Sequence, residues 1–116
     1  MDRKRQLKEQ YKQMKPDMGI MVIRSQSEKW CYIEGTHNLR AAMNGTRFKL
    51  DAGFHPSREL LKKWQEHKGN NLTFDVLEQL EYDKDETKTD YSDDLALLLM
   101  EWQEKLAKDG YTVVLR

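Results

Sequence analysis

Residues 19–38 read GIMVIRSQSEKWCYIEGTHN, and this stretch decides the fold. Two segments rich in β-branched and aromatic residues, 18–25 and 29–34, flank a short polar turn, which predicts a β-hairpin. The apolar run 20–23 is unbroken, so we expect the first strand to be covered on both faces. Asn38 is a favourable N-cap, and the hairpin therefore leads directly into a helix.

The rest of the chain alternates between helical and extended patterns. Apolar residues recur every three or four positions in four segments and alternate in one, which predicts four helices and a third strand. In order, these are a helix over 2–14, a helix that begins at Asn38, a helix capped by Ser57 and ended by Gly69, a strand over 71–82, a helix capped by Ser92 and ended by Gly110, and then a short terminal strand over 111–115. The predicted fold class is α+β, with a small sheet built on the antiparallel hairpin, packed with helices and preceded by an N-terminal helix.

Charge is balanced over the whole chain but divided along it. The 116 residues include 20 basic and 20 acidic side chains, so the chain as a whole is not an electrostatic match for nucleic acid. Residues 1–15 carry six bases against two acids, and residues 81–94 carry seven acids against two bases. Such runs are usually solvated surface, and the alternative is that the opposed segments drive self-association.

The sequence gives three expectations about the environment of the protein. Cys31 is the single cysteine and lies in an apolar run, which predicts a buried, unreactive thiol. No apolar stretch approaches the roughly 20 residues that a membrane span needs. The N-terminus also lacks the apolar segment of a signal peptide. We therefore expect a cytoplasmic protein with no membrane partner.

Several short motifs, taken in order, resemble the GIY-YIG nuclease domain. They are GIM at 19–21, YIEG at 32–35, a helix start at 38–39, His55-Pro56, FDVLE at 74–78 and Trp102. The resemblance covers residues 18–106 and is nearest to small stand-alone bacterial members that carry a basic N-terminal helix. It implies an N-terminal helix over 1–16, a GIY-YIG-like domain over 18–108, and a C-terminal tail or short strand over 109–116.

The resemblance also implies a chemistry, the hydrolysis of a DNA phosphodiester. The family is expected to use two tyrosines from the hairpin, an arginine that neutralises charge on the phosphate, and a glutamate that binds a divalent ion. Matched residue by residue, these roles fall on Met21 and Tyr32 for the tyrosines, Ala42 for the arginine and Leu99 for the glutamate, while Glu34 replaces the motif glycine and Thr46 a helix histidine. The match therefore implies a catalytic site that is largely degenerate.

Tyr32 is the one candidate catalytic residue that the match retains, as a vestige. A tyrosine in a strand usually packs as an amphipathic residue, and we favour that interpretation over a surviving catalytic role. Leu99 fits the apolar stripe of the last helix, which predicts that it packs in the core. Loop or surface positions are expected for the three histidines, whose spacing is not that of metal ligands, and we predict no metal site.

Three functions stay open on the sequence. The first is a catalytically degenerate GIY-YIG-like domain that binds DNA and needs no cofactor. The second is an active DNA endonuclease with a site relocated around Tyr32, which would require Mg²⁺ or Mn²⁺. The third is a protein-interaction module that uses the basic first helix or the acidic segment 81–94. The candidate nucleic-acid contacts are His37, Arg40, Arg47, Lys49, Lys62 and Lys63.

Overall fold

The computed structural model describes residues 15–67 and 71–115. The helix predicted over 2–14 lies outside these residues, as does Gly69, the predicted end of a later helix. The described chain contains β1 (Met18–Ser25), β2 (Trp30–Thr36), α1 (Leu39–Ala52), α2 (Arg58–His67), β3 (Leu72–Leu80), α3 (Ser92–Lys108) and β4 (Thr112–Leu115). The predicted hairpin and the α+β fold class are confirmed.

The four strands form one mixed sheet in the order β3-β1-β2-β4. β1 pairs antiparallel with both β2 and β3, whereas β2 pairs in parallel with β4. The hairpin therefore forms the centre of the sheet. β4 follows α3 and joins the outer edge of β2, so the last described residues belong to the same sheet as the hairpin.

Helices cover both faces of the central strands. Alternate residues of β1 face opposite sides of the sheet, because successive side chains of a strand point in opposite directions. Met21 and Ile23 pack with α1 and α2, in a cluster that includes Leu39, Leu50 and Leu60. Ile20 and Val22 pack with α3, in a cluster that includes Leu98 and Leu106. The unbroken apolar run of β1 is thus explained, and its predicted burial on both faces is confirmed.

Gly19 allows β3 to approach β1 closely. A Cβ atom at this position would collide with the backbone carbonyl oxygen of Glu78 on β3. Only glycine lacks that atom, so strand packing by itself requires a glycine here. The glycine of the GIM motif therefore has a structural role in this chain.

The helix starts show where local sequence signals succeed and fail. Asn38 caps α1 as predicted, since its Oδ1 accepts the N–H of Ala41 at 3.0 Å. The Oγ of Ser57 accepts the N–H of Leu60 at 3.3 Å at the start of α2. The prediction that Ser92 caps α3 is wrong: Ser92 is the first residue of that helix, and its N–H donates to the Asp90 carboxylate at 3.0 Å.

Cys31 is fully buried on the α3 side of β2, as predicted. Burial raises the pKa of its thiol to about 11, partly opposed by the charge of Arg24. The thiol is therefore protonated at neutral pH and chemically inert in the folded chain. As to membranes, none of the helices within the described ranges has the length and hydropathy needed to cross a bilayer.

Candidate functional site

Three polar side chains form a buried cluster between β2 and the loop that follows α1. Tyr32 and Glu34 are two residues apart on β2, so both point to the α1 side of the sheet. The Tyr32 hydroxyl donates to Oε1 of Glu34 at 3.3 Å. The rings of Tyr32 and His55 meet edge to face with centroids 5.8 Å apart. Each of the three residues is at most 6% exposed, so the cluster is shielded from bulk water except where Glu34 lines a neighbouring cleft.

The loop that follows α1 places His55 in this cluster. Gly53 ends the helix in the left-handed conformation, with φ of 79°, and its N–H donates to the carbonyl of Leu50. Two residues later, Nδ1 of His55 accepts the N–H of Ser57 at 3.0 Å. This bond leaves the proton of the neutral imidazole on Nε2 and fixes the ring plane. His55 lies in a loop as expected, but its side chain is buried. The His55-Pro56 motif is the one sequence signal that points to His55 as part of this cluster.

A cleft of about 330 Å³ opens beside the cluster, between the end of β2 and α1. Its charged lining residues are Glu34 and Lys49. Ala42 and Thr46 line it from α1, at the spacing that places residues on one side of a helix. Gly45 leaves open space, since a Cβ atom there would meet nothing within 4 Å. This cleft occupies the place where the family resemblance puts the arginine and histidine of α1.

A second cleft, of about 270 Å³, lies across the same end of β2, against α3. Gly35 lines both clefts, and α3 approaches it closely: a Cβ atom there would lie 3.6 Å from the Cβ of Leu95. His37 and Leu99 also line this second cleft. Leu99 is half-buried and packs against the apolar cluster of α3, which confirms the predicted packing at the position matched to the metal-binding glutamate.

The other positions matched to catalytic residues are occupied by packing groups. Met21 is fully buried in the α1-side cluster, and Ala42 is half-buried against it. Thr46 is buried at 5% exposure. Within the two described ranges, 15–67 and 71–115, no group of three His, Cys, Asp or Glu side chains is arranged to hold a metal ion.

The predicted cationic contacts of α1 lie on two sides of the helix. Arg40 lines a groove of about 790 Å³ between α1 and β3, which Lys15 also lines. Arg47 lies on the same side, with its guanidinium 4.7 Å from the ring centroid of Phe74 on β3. Lys49 lies on the other side of α1, at the cleft beside Glu34. The structure therefore places these three cations around one helix rather than in one pocket.

The remaining predicted contacts are spread over α2 and the end of β2. Lys62 is exposed on α2. Lys63 is paired with Glu28 at 2.7 Å, and this hydrogen bond raises the pKa of Lys63 and lowers that of Glu28. His37 is exposed at the α3-side cleft. Lys63 is thus already engaged within the fold, whereas Lys62 and His37 are accessible.

Charge is divided between two segments of the described chain. Residues 37–67, which include α1 and α2, carry six bases against three acids. Residues 71–115, which include β3, the loop before α3, α3 and β4, carry twelve acids against four bases, and seven of these acids lie between residues 81 and 94. The zero net charge of the chain therefore conceals a basic segment and an acidic one.

The central hairpin, the β3-β1-β2-β4 sheet and the helices on its two faces define the fold of the GIY-YIG catalytic domain. The structure is similar to that of the catalytic domain of the homing endonuclease I-TevI, with a TM-score of 0.65, 21% sequence identity, and coverage of 84% of this chain and 97% of that domain. A mutant of the catalytic domain of intron endonuclease I-TevI gives a TM-score of 0.57 at 21% identity, covering 78% of this chain and 84% of that one.

The GIY-YIG-like fold expected from the motifs is thereby confirmed. The likeness concerns the fold alone, because the two chains share only about a fifth of their residues. No protein-family model matches the sequence, and no curated protein sequence matches it.

Proposed function

We propose that this chain is a DNA-binding domain that uses the GIY-YIG scaffold without its metal-dependent cleavage. The observation that carries the proposal is which side chains surround the C-terminal end of β2. Leu99 packs there at the position matched to the metal-binding glutamate, while the facing cleft stays open and presents Lys49. The cleft lined by Lys49 would therefore bind DNA beside positions where the catalytic groups of the family are replaced.

The replaced positions cannot supply the steps of phosphodiester hydrolysis. Met21 has no proton to exchange and no oxygen for a hard cation, and it is fully buried. Ala42 has no charge with which to stabilise a phosphate in the transition state. Glu101 is exposed on α3 but lies two positions from Leu99, about 200° around the helix, so it does not replace the missing carboxylate.

The charge distribution supports DNA as the partner. Arg40, Lys49 and Lys62 belong to α1 and α2, which lie in a segment with six bases against three acids, whereas α3 carries four acids against two bases. A polyanion is attracted to the first segment and repelled by α3, so the molecule would present α1 and α2 to the phosphate backbone.

Fluorescence anisotropy with labelled single-stranded, duplex and branched DNA tests the proposal. We expect binding at low salt that weakens between about 50 and 200 mM salt, with log K falling by about 0.9 per log unit of salt for each phosphate neutralised. Lys49→Glu should weaken binding and lower that slope by about one to two. The matched control is Lys108→Glu, the same change on α3. Absence of binding to every DNA, or equal loss in both variants, contradicts the proposal.

One observation favours an alternative, an endonuclease with a site relocated around Tyr32. Tyr32, Glu34 and His55 gather an acid, a base and a carboxylate next to an open cleft. Such an enzyme would require Mg²⁺ or Mn²⁺, with Glu34 as the one carboxylate that lines this cleft. Nicking of supercoiled plasmid with either ion, abolished by Tyr32→Phe and by Glu34→Gln, would establish it. Equal nicking by all three proteins would indicate a contaminant.

A further inference from the structure

Two phenylalanines form an exposed aromatic pair at the end of α1. Phe48 is 67% exposed and Phe54 is 56% exposed. Their rings contact each other edge to face, with centroids 6.0 Å apart and planes at 78°. Adjacent exposed aromatic rings are unusual on a soluble domain and mark a surface that binds something.

Folding does not account for the exposure of Phe48. It lies nine residues after the buried Leu39, and at about 100° per residue this places it directly opposite the buried side of α1. The helix thus carries a phenylalanine at the position that points furthest from the core, where a polar side chain is the usual choice.

Phe54 is exposed on a rigid backbone rather than on a loose loop. Its N–H donates to the carbonyl of Lys49 at 3.0 Å, next to the left-handed Gly53 that ends the helix. The following residue, His55, is buried in the polar cluster with Tyr32. The backbone of Phe54 is therefore fixed on both sides, which keeps its ring within reach of the Phe48 ring.

Cations flank this aromatic pair. Arg47 and Lys49 precede and follow Phe48, and so lie about 100° to either side of it around the helix. The guanidinium of Arg47 contacts the Phe74 ring, with its Cζ 4.7 Å from the ring centroid. Asp51, the one acid of α1, lies three residues after Phe48 and about 60° from it around the helix, so two cations and one acid surround the pair. An exposed aromatic ring between two cations is the combination with which proteins hold single-stranded nucleic acid, the ring stacking on a base and the cations contacting phosphates.

The exposed apolar residues of α3 provide a contrast. Leu97 and Met100 are 62% and 63% exposed, as much as the two phenylalanines. Both are aliphatic, and Glu101 and Glu104 line the same surface. That surface has neither a ring to stack on a base nor a charge that attracts phosphate, so exposure alone does not distinguish the two surfaces; their chemistry does.

We infer that Phe48 and Phe54 form a stacking platform for unpaired bases, and that the ligand of this domain is single-stranded DNA. The inference rests on the proposed function and narrows it. In a duplex the faces of the bases are covered by their neighbours, so only an unpaired base can lie flat on one ring with its edge against the other. Arg47 and Lys49 then contact the phosphates on either side.

The test compares a labelled oligothymidine strand with a duplex of the same length. We expect the wild-type chain to prefer the single strand. Phe48→Ala and Phe54→Ala should each weaken single-strand binding by about five- to a hundredfold, the range measured for loss of one stacked base, with little effect on duplex binding. Phe48→Leu should weaken single-strand binding by a similar factor, because leucine is apolar but has no ring. Phe48→Tyr keeps the ring and should retain single-strand binding. Leu97→Ala is the matched control on α3.

The outcomes separate this inference from the proposed function. Equal affinity for both forms of DNA, or unchanged affinity in Phe48→Leu, overturns the platform while DNA binding stands. Failure to bind any DNA contradicts both the stacking platform and the proposed DNA-binding function. A dimer in light scattering that dissociates in Phe48→Ala, without DNA binding, would assign the aromatic pair to a second copy of the chain instead. Thermal unfolding of each variant verifies that the exposed substitutions leave the fold intact.

Discussion

The two sides of the sheet perform the same structural task with different side chains. On the α1–α2 side, β2 buries Tyr32 and Glu34 with His55, and the helices outside carry an excess of bases. On the α3 side, the same strand buries Cys31 and Ile33 in an apolar cluster, and α3 outside it carries four acids against two bases. Both sides of the sheet thus contribute an apolar core, whereas the polar side chains that β2 buries lie on the α1–α2 side.

The loss of catalysis that we propose is compatible with this fold. Met21 and Leu99 occupy the positions that the family resemblance matches to catalytic residues, and each packs in one of the two apolar clusters. Replacing a polar group by an apolar one in or beside a core removes a desolvation penalty and adds contacts. Under the proposed function, such replacements would stabilise the fold, while the cleft lined by Lys49 would serve binding.

The largest expected effect comes from the apolar core of each side. Ile33→Ala on the α3 side and Ile23→Ala on the α1–α2 side both remove a fully buried side chain. Each should lower the free energy of unfolding by about 2–5 kcal/mol, from lost transfer energy and the cavity left behind. Urea denaturation measures both. We expect the DNA affinity of Ile33→Ala to equal that of wild type at a temperature where the variant is folded. A changed affinity would contradict the assignment of DNA binding to the α1–α2 side, because α3 would then belong to the binding site.

A smaller effect is expected at the buried polar cluster. Tyr32→Phe removes the hydroxyl that donates to Glu34 and leaves the buried carboxylate with one donor fewer. This should cost about 1–3 kcal/mol of unfolding free energy. The matched control is Tyr111→Phe, at a half-buried tyrosine packed on the α3 side, which should change stability by less than about 0.5 kcal/mol. Equal losses would show that Tyr32 acts only through its ring.

Local signals predict the hairpin, the cap at Asn38 and the two-sided burial of β1, because each leaves a pattern within a few consecutive residues. The polar cluster could not be predicted in this way. Tyr32 and His55 are 23 positions apart, and only the packed sheet and the cap at Gly53 bring their rings together. The parallel pairing of β4 with β2 likewise depends on how α3 crosses the sheet, which no local pattern encodes.

Two further features depend on the structure. The helix period alone places Phe48 opposite the buried side of α1, but only the structure shows its ring against that of Phe54 beyond the helix end. The predicted cap of α3 is wrong because Ser92, although a favourable cap residue, is already helical. Tyr91 precedes it without a side-chain cap, and the Asp90 carboxylate accepts the Ser92 N–H.

The smallest expected effect is a pH dependence at the hydrogen bond between Asp90 and Ser92, where α3 starts. Hydrogen bonds from the side chain and backbone of Ser92 lower the pKa of Asp90 below its ordinary value of 3.8. Because the folded pKa lies below the unfolded one, the carboxylate stabilises the fold above pH 3.8 and loses that contribution as pH falls through the folded pKa. On the other side of the sheet, the Lys63 hydrogen bond lowers the pKa of Glu28 with the same sign.

Melting temperatures of Asp90→Asn and Glu28→Gln, measured from neutral pH into acid, separate these two contributions. Each variant should melt slightly below wild type at neutral pH and approach it in acid, where wild type has lost the same interaction. Both groups are exposed, so salt should shrink the Glu28 effect, an ion pair, more than the Asp90 effect, a local hydrogen bond. Equal salt sensitivity would mean that long-range charge, rather than the local hydrogen bond to Ser92, determines the contribution of Asp90.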